Sequence, residues 1–311
     1  MKKYFVKYKS LKFLRIFFLW YYRNTKNHKQ IVDILYYIKF KETINWKNPK
    51  DLNQWINWLE FNTDTSLWSL LSDKYKVRNY VKEKGFEENL IPLLGVWDDP
   101  EKINIDSLPK GFVLKMNNGS GDVLIIKDKT TANLDEIKNH FRKLFYSDFS
   151  LTTGERHYKE IKPLIMAEQL LDVDKQSIPS TSMIDYKIWC FDGKPECIRV
   201  YYNREKDKVN LDTYDINWEN RPELNNYSDK FLKSDISLPK PDKLDEMLYM
   251  ASKLSEGFPQ VRVDLYESNG KIYFGELTFT SSTGKMTSFS KEYLTFLGNK
   301  VAKIIRKDSE Y

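Results

Sequence analysis

Val261-Arg262-Val263-Asp264-Leu265-Tyr266-Glu267, then Ser268-Asn269-Gly270, then Lys271-Ile272-Tyr273-Phe274-Gly275-Glu276-Leu277: two runs rich in β-branched and aromatic residues flank a turn containing Asn-Gly. That pattern predicts a β-hairpin. Period-two alternation puts Arg262 and Asp264 on one strand face, with Glu276 on the partner strand. Mg²⁺ takes oxygen ligands, usually one or two carboxylates plus nucleotide phosphates, so Asp264 and Glu276 form a candidate metal pair. Arg262 is placed to neutralise charge developing beside them. Neither carboxylate is expected in the core. On this motif alone, an exposed hairpin with cross-strand charges fits equally well.

Other segments support the first reading. Phe112-Val113-Leu114-Lys115-Met116 and Val123-Leu124-Ile125-Ile126-Lys127 flank the polar tip Asn117-Asn118-Gly119-Ser120-Gly121-Asp122, a second predicted hairpin. Glycines let backbone N–H groups approach phosphates, and Lys115 on the strand feeding the loop supplies a point charge. Residues 163–171 form an apolar strand interrupted by Glu168. Within it, Met166-Ala167-Glu168-Gln169-Leu170 offers a backbone edge and an apolar wall for an adenine ring. Lys74 and Lys187 are further candidates to face phosphates, in a chain whose 50 Lys+Arg are mostly expected to be solvated.

The remaining pattern is a helical first third followed by mixed strands and helices, without internal repeats. Apolar spacing predicts a helix over 52–59. Ser72 or Asp73 caps a second that carries Lys74, Lys76, Arg78 and Tyr80 and stops at Gly85. Helices are also expected over 133–146, 243–256 and 291–306. Asp192-Gly193 joins 185–191 to 196–201 as a tight hairpin. Cys190 and Cys197 flank that turn as small, half-buried thiols with no base nearby to make either a nucleophile. Residues 203–242, rich in Asn, Asp and Pro, read as irregular.

At 311 residues the chain can hold one large core or two to three smaller ones sharing a cleft. With 41% hydrophobic and 30% charged residues it has a soluble globular composition, and no stretch approaches the roughly 20 apolar residues of a spanning helix. Two cysteines and three histidines exclude a disulfide framework and a thiolate metal site, which fits a reducing cytoplasm. Residues 1–50 hold 13 Lys+Arg against 2 Asp+Glu, net +11, leaving net −5 for 51–311. Within this basic arm, residues 13–22 are apolar and aromatic apart from Arg15, and Lys9, Lys12 and Arg15 recur along one helical face. The arm therefore suits contact with a membrane surface through residues 1–23, or packing on the protein body. Arg15 and the lack of a cleavage site before Arg23 argue against a signal peptide. Nucleic acid is the weakest partner for it.

Taken in order, Ser72-Asp73-Lys74-Tyr75-Lys76-Val77-Arg78, Val113-Leu114-Lys115, Asn117-Asn118-Gly119-Ser120-Gly121, Glu168, Asp185-Tyr186-Lys187, Arg262-Val263-Asp264 and Gly275-Glu276-Leu277-Thr278 resemble an ATP-grasp protein of the TupA-like group of teichuronopeptide and capsular polysaccharide biosynthesis. The resemblance covers about 45–300. It implies an α+β fold in which two lobes clasp ATP, preceded by a helical N-terminal region. The implied divisions are an arm at 1–47, a helical domain at 48–108, a lid with the glycine loop at 109–165 and a C-terminal lobe at 166–311.

By position, the resemblance gives Lys115 and the loop including Asn118, Gly119, Ser120 and Gly121 to the phosphates, together with Lys74 and Lys187. It gives Glu168, Gln169 and Leu170 to the adenine side, Asp264 and Glu276 to Mg²⁺, and Arg262, with Lys187, to catalysis. Thr278 departs from the Glu-x-Asn ending of many such enzymes and puts a second metal ion in question. The βαβ domain that often precedes this core is replaced by the helical first third. The implied activity is a carboxylate–amine ligase working through an acyl phosphate. An example is coupling an amino acid to a uronic acid of a polysaccharide or its precursor, in the cytoplasm or at the inner face of the membrane. A kinase on the same clasp and a non-catalytic carbohydrate-binding protein are the rivals.

Overall fold

The computed structural model describes residues 27–121, 123–234 and 237–308, so the membrane-contact segment read at 1–23 lies outside the described residues. The helical first third comprises α1 (His28–Phe40), α2 (Leu52–Asn62), α3 (Ser66–Ser72) and α4 (Val77–Glu83). Asn27 and Asp51 cap α1 and α2 through their side chains, accepting from the N–H of Gln30 and Gln54. The helix expected to begin at Ser72 or Asp73 begins at Val77 instead. Asp73 accepts the N–H groups of Tyr75 and Lys76, which closes a turn, and the Lys74 N–H donates to the Asn117 carbonyl at 2.9 Å. That tie to the glycine loop takes Lys74 out of the helix.

A four-stranded antiparallel sheet follows, from β1 (Leu93–Trp97), β2 (Phe112–Met116), β3 (Val123–Ile126) and, after α5 (Leu134–Phe145) and α6 (Phe149–Thr153), β4 (Ile165–Gln169), in the order β1-β4-β2-β3. The strand β1 has no alternation legible in sequence; it carries Gly95 and pairs with β4 through a register shift between Leu93 and Gly95. β4 closes the sheet, so residues 166–169, which sequence assigned to the following lobe, are part of it. Alternation divides its faces: Phe112, Leu114, Met116, Ile165 and Ala167 pack on Ile137 and Phe141 of α5, which sends Lys115 and Glu168 to the other side.

The second sheet is built from β5 (Asp185–Phe191), β6 (Lys194–Tyr202), β7 (Val209–Tyr214), β8 (Phe231–Leu232) and, after α7 (Leu244–Leu254), β9 (Val261–Ser268) and β10 (Lys271–Thr278); α8 (Lys291–Asp308) ends the described chain. The order is β10-β9-β5-β6-β7-β8, antiparallel except for β7 with β8. Both β7 and β8 lie in the stretch expected to be irregular. The polar residues that disguise β7 are buried and satisfied: Asp212 accepts from the Tyr202 hydroxyl at 2.7 Å, and Thr213 donates to Asn225 at 2.7 Å. On one face, Ile188, Cys190, Val261, Val263 and Leu265 share a core with Met247, Met250, Ala251 and Leu254 of α7. The alternate residues of β5 and β9, Lys187, Arg262 and Asp264, are thereby turned to the opposite face.

Candidate active site

Three strands place one polar residue each in a single row: Lys187 stands opposite Asp264, and Asp264 opposite Glu276. A register shift between Phe274 and Glu276 aligns the last pair. Arg262 grips Asp264 bidentately with its Nε–Nη2 edge, Nε to Oδ1 at 2.6 Å and Nη2 to Oδ2 at 2.7 Å, and its Nη2 also reaches Glu276 at 3.1 Å and the Thr278 hydroxyl at 3.0 Å. Lys187 donates to the second oxygen of Asp264 and lies 3.6 Å from Asp185. Contrary to the sequence expectation, Asp264 is only 1% exposed, because β5 and β10 flank it and two cations cover its oxygens. Glu276, 29% exposed at its side chain, is the more accessible carboxylate.

The charges of the row depend on one another. Burial by itself would raise the Glu276 carboxyl, but Lys74, Arg262 and Lys187 outweigh it and hold the group at about 2. Burial likewise opposes the charge on Lys187, and Asp185 and Asp264 more than restore it, so its ammonium is held above the usual range. At neutral pH Glu276 and Lys187 are therefore both charged. Thr278, the departure in the motif, donates to Glu276 at 3.1 Å and accepts from Arg262, so it orients both.

A second cluster sits on the cleft face of the four-stranded sheet. Lys115 lies 2.6 Å from the buried Glu168, and Arg78 from α4 lies 3.5 Å from its other oxygen. Glu168, read from sequence as part of the adenine side, turns its carboxylate to these two cations. Arg78 was not singled out as a site residue, although its spacing of four from Lys74 carried the signal. Gln169 is exposed, its N–H donating to the Pro92 carbonyl at 3.0 Å, and Leu170 packs over Gly111.

Lys74 connects the first cluster to the glycine loop. Its ammonium donates to the Gly119 carbonyl at 2.6 Å and lies 3.5 Å from Glu276. The loop it touches is anchored by Asn117, fully buried, whose amide donates to Asp73 and the Lys162 carbonyl and accepts from the Leu164 N–H. Gly119 has φ +91° and a Cβ there would come within 3.0 Å of the Phe149 ring. Ser120 and Gly121, which has φ +86°, are exposed, and Asn118 is half-buried. The sequence candidates thus gather as Lys74, Lys115, Lys187, Arg262, Asp264, Glu276 and the glycine loop.

Among the described residues no three His, Cys, Asp or Glu side chains group closely enough to hold a metal by themselves. The paired carboxylates of Asp264 and Glu276 fit Mg²⁺, which takes one or two protein carboxylates and fills its remaining positions with water and phosphate oxygens. Cys190 and Cys197 are buried, and burial pushes both thiols up to about 12, so neither serves as a nucleophile. A cavity of about 560 Å³ beside α8, lined among others by Phe191, Glu196 and Lys300, holds none of these site residues.

Among solved structures, the fold is similar to the D-alanine–D-alanine ligase of Bacillus anthracis complexed with ATP (15% identity, 77% of this chain and 68% of that one, TM-score 0.44). It is also similar to the ATP-grasp ligase PsnB complexed with minimal precursor (11% identity, 78% and 63%, TM-score 0.42) and to the D-alanine–D-alanine ligase of Helicobacter pylori (13% identity, 82% and 66%, TM-score 0.40). The chain thus spans about two thirds of the length of each. No protein of curated function matches the sequence. The profile of the TupA-like ATP-grasp family matches residues 54–302, which include every element from α3 to β10, and the chain belongs to that family.

Proposed function

We propose that the protein is an ADP-forming ATP-grasp ligase that joins a carboxylate to an amine through an acyl phosphate. The observation that carries this reading is the row Lys187–Asp264–Glu276 with Arg262 locked beside it, connected through Lys74 to the glycine loop. Lys115, Lys74, Lys187 and the Asn118–Gly119–Ser120–Gly121 loop bind the phosphates of ATP, and the edge at 166–170, including Gln169 and Leu170, receives the adenine. Glu168 keeps Lys115 and Arg78 in place. Asp264 and Glu276 hold Mg²⁺, whose chemistry here is to offset the charge of the β- and γ-phosphates.

A carboxylate oxygen of the acid attacks the γ-phosphorus, and the bond from that phosphorus to the bridging oxygen breaks with its electron pair going to ADP. The amine then attacks the acyl carbonyl, loses a proton, and inorganic phosphate leaves with the carbon–oxygen pair. Lys187 and Arg262 balance the negative charge in both steps; the Arg262 Nη1, 3.4 Å from the Ser281 hydroxyl, is its edge not engaged by a carboxylate. The family further supports an acid belonging to a cell-surface polysaccharide or precursor, such as a uronic acid, with an amino acid as the amine. In this reading the basic arm at 1–23 brings the enzyme to the inner face of the membrane.

The test separates ligase from kinase. With ATP, Mg²⁺ and a panel of uronic acids, hydroxylamine in place of the amine should yield a hydroxamate, and ADP release should require the acid. A stable phosphorylated sugar formed without amine, and no hydroxamate, would replace the ligase with a kinase.

A further inference from the structure

The site face carries a cation with no carboxylate partner among the described residues. Arg199 of β6 stands directly opposite Lys187, one strand further from Asp264, and is 1% exposed. Lys187 and Arg262 each have acidic partners, whereas among the described residues Arg199 has only neutral ones: Nη1 donates to the Ser288 hydroxyl at 2.8 Å, and Nη2 to Asn225 at 3.1 Å and the Ser288 carbonyl at 3.0 Å. Its Nε is buried with no hydrogen-bond partner among the described residues. The guanidinium carbon lies 3.9 Å from the centre of the Phe289 ring.

A buried charge without a counter-ion is costly, and neutral dipoles offset only part of that cost. A neutral donor could serve Ser288 and Asn225 without it. The surplus charge is also at a particular place. The half-buried Tyr201 has the Lys187 ammonium 5.7 Å from its ring centre on one side and the Arg199 guanidinium 5.7 Å on another. Lys187 is already neutralised by Asp264 and Asp185, so the unmatched positive charge next to Tyr201 belongs to Arg199.

We propose that Arg199, with Lys187 and Tyr201, seats the carboxylate that becomes activated, on the β6 side of the Asp264–Glu276 pair. This rests on the ligase reading and names where its acid lies. One carboxylate oxygen takes the Nη1 donor from the Ser288 hydroxyl, and the other faces Lys187 and the phosphates. The Tyr201 ring supports the part of the acid next to the carboxylate.

Thermal unfolding of the full chain without nucleotide tests the seat apart from the ligation chemistry. The probes are D-glucuronate, D-galacturonate and acetate, against methyl glucoside and inorganic phosphate. The wild type should show a saturable rise in Tm with at least one carboxylate and none with methyl glucoside. Arg199→Lys should raise the half-saturating concentration about tenfold, the loss of one charge-assisted hydrogen bond, and Ser288→Ala, which removes the competing hydroxyl, should lower it. Near-UV circular dichroism checks folding, and Tyr201→Leu, at a partly exposed position, replaces Arg199→Lys if that variant misfolds, with the same expected direction. No carboxylate response in the wild type, a response only to phosphate, or equal half-saturation in the wild type and the seat variant would overturn the proposal. A carboxylate response that depends on Arg199, without hydroxamate or ADP in the turnover assay, would retain the seat and remove the ligase.

Discussion

Asp264 and Glu276 face each other across one ladder yet differ in what their loss should cost. Asp264→Asn leaves Arg262 and Lys187 buried against a neutral amide, and breaking a buried pair in this way costs on the order of 3–5 kcal/mol. Glu276→Gln acts at the more open end of the row, where solvent reaches the groups it leaves, and should cost less. Both should abolish ADP release, and both should lower the urea midpoint, Asp264→Asn the more; equal midpoints for the two would contradict the burial argument. Glu276 also sets a pH dependence. Its pKa drops from 4.5 to about 2 on folding, so the stability it contributes is complete above the upper value and is lost as pH falls through the lower. The urea midpoint should therefore decline more steeply between about pH 4.5 and pH 2 in the wild type than in Glu276→Gln. Lys115 offers a kinetic comparison: Lys115→Ala should raise the KM for ATP far more than Lys82→Ala or Lys84→Ala, whose ammonium groups pair with Glu87 and Glu256 near the surface.

Among the elements, α2 and α8 support the site from behind. Asn53 of α2 bonds both the N–H and the carbonyl of Met286, and Asn57 donates to the Gly284 carbonyl, which fixes the loop leaving β10. α8 approaches the start of α2 at Gly298, where a Cβ would lie 2.6 Å from the Asp51 carbonyl carbon and 2.9 Å from the Leu52 nitrogen. Mid-helix alanine is ordinarily favoured over glycine by about 1 kcal/mol. Here the obstacle is backbone that cannot rotate away, so Gly298→Ala should be destabilising by about 1–3 kcal/mol as the two helices part. A Tm equal to or above that of the wild type would show that helix propensity decides at this position.

Across the molecule, one side chain at the site touches both the loop of the smaller sheet and a strand of the larger. Lys74 touches the carbonyl of Gly119 on the loop of the smaller sheet and the carboxylate of Glu276 on the larger. Lys74→Ala should speed amide exchange at 117–121 and raise the KM for ATP, while Tm changes little because neither core is touched. Unchanged exchange in the loop would mean that Asn117 alone holds it in place. Among the described residues no helix is long and apolar enough to cross a membrane.

The last hairpin, the glycine loop and the helices at 134–145, 244–254 and 291–308 were legible because periodicity and turn chemistry are local properties of the chain. The same local rules placed Arg262, Asp264 and Glu276 on facing strands. They could not see β1, which is a strand only because β4 pairs with it, or β7, whose Asp212 and Thr213 look solvent-facing until Tyr202 and Asn225 supply their partners. Nor could they show that Asp264 is buried, that Glu168 faces Lys115, or that Arg199 stands beside Lys187 without a carboxylate of its own. Burial and charge pairing are set by residues far apart in the chain. Sequence determined which chemistry the protein carries, whereas the pairing of strands distant in the chain decided which of its charges are spoken for and which is left over among the described residues.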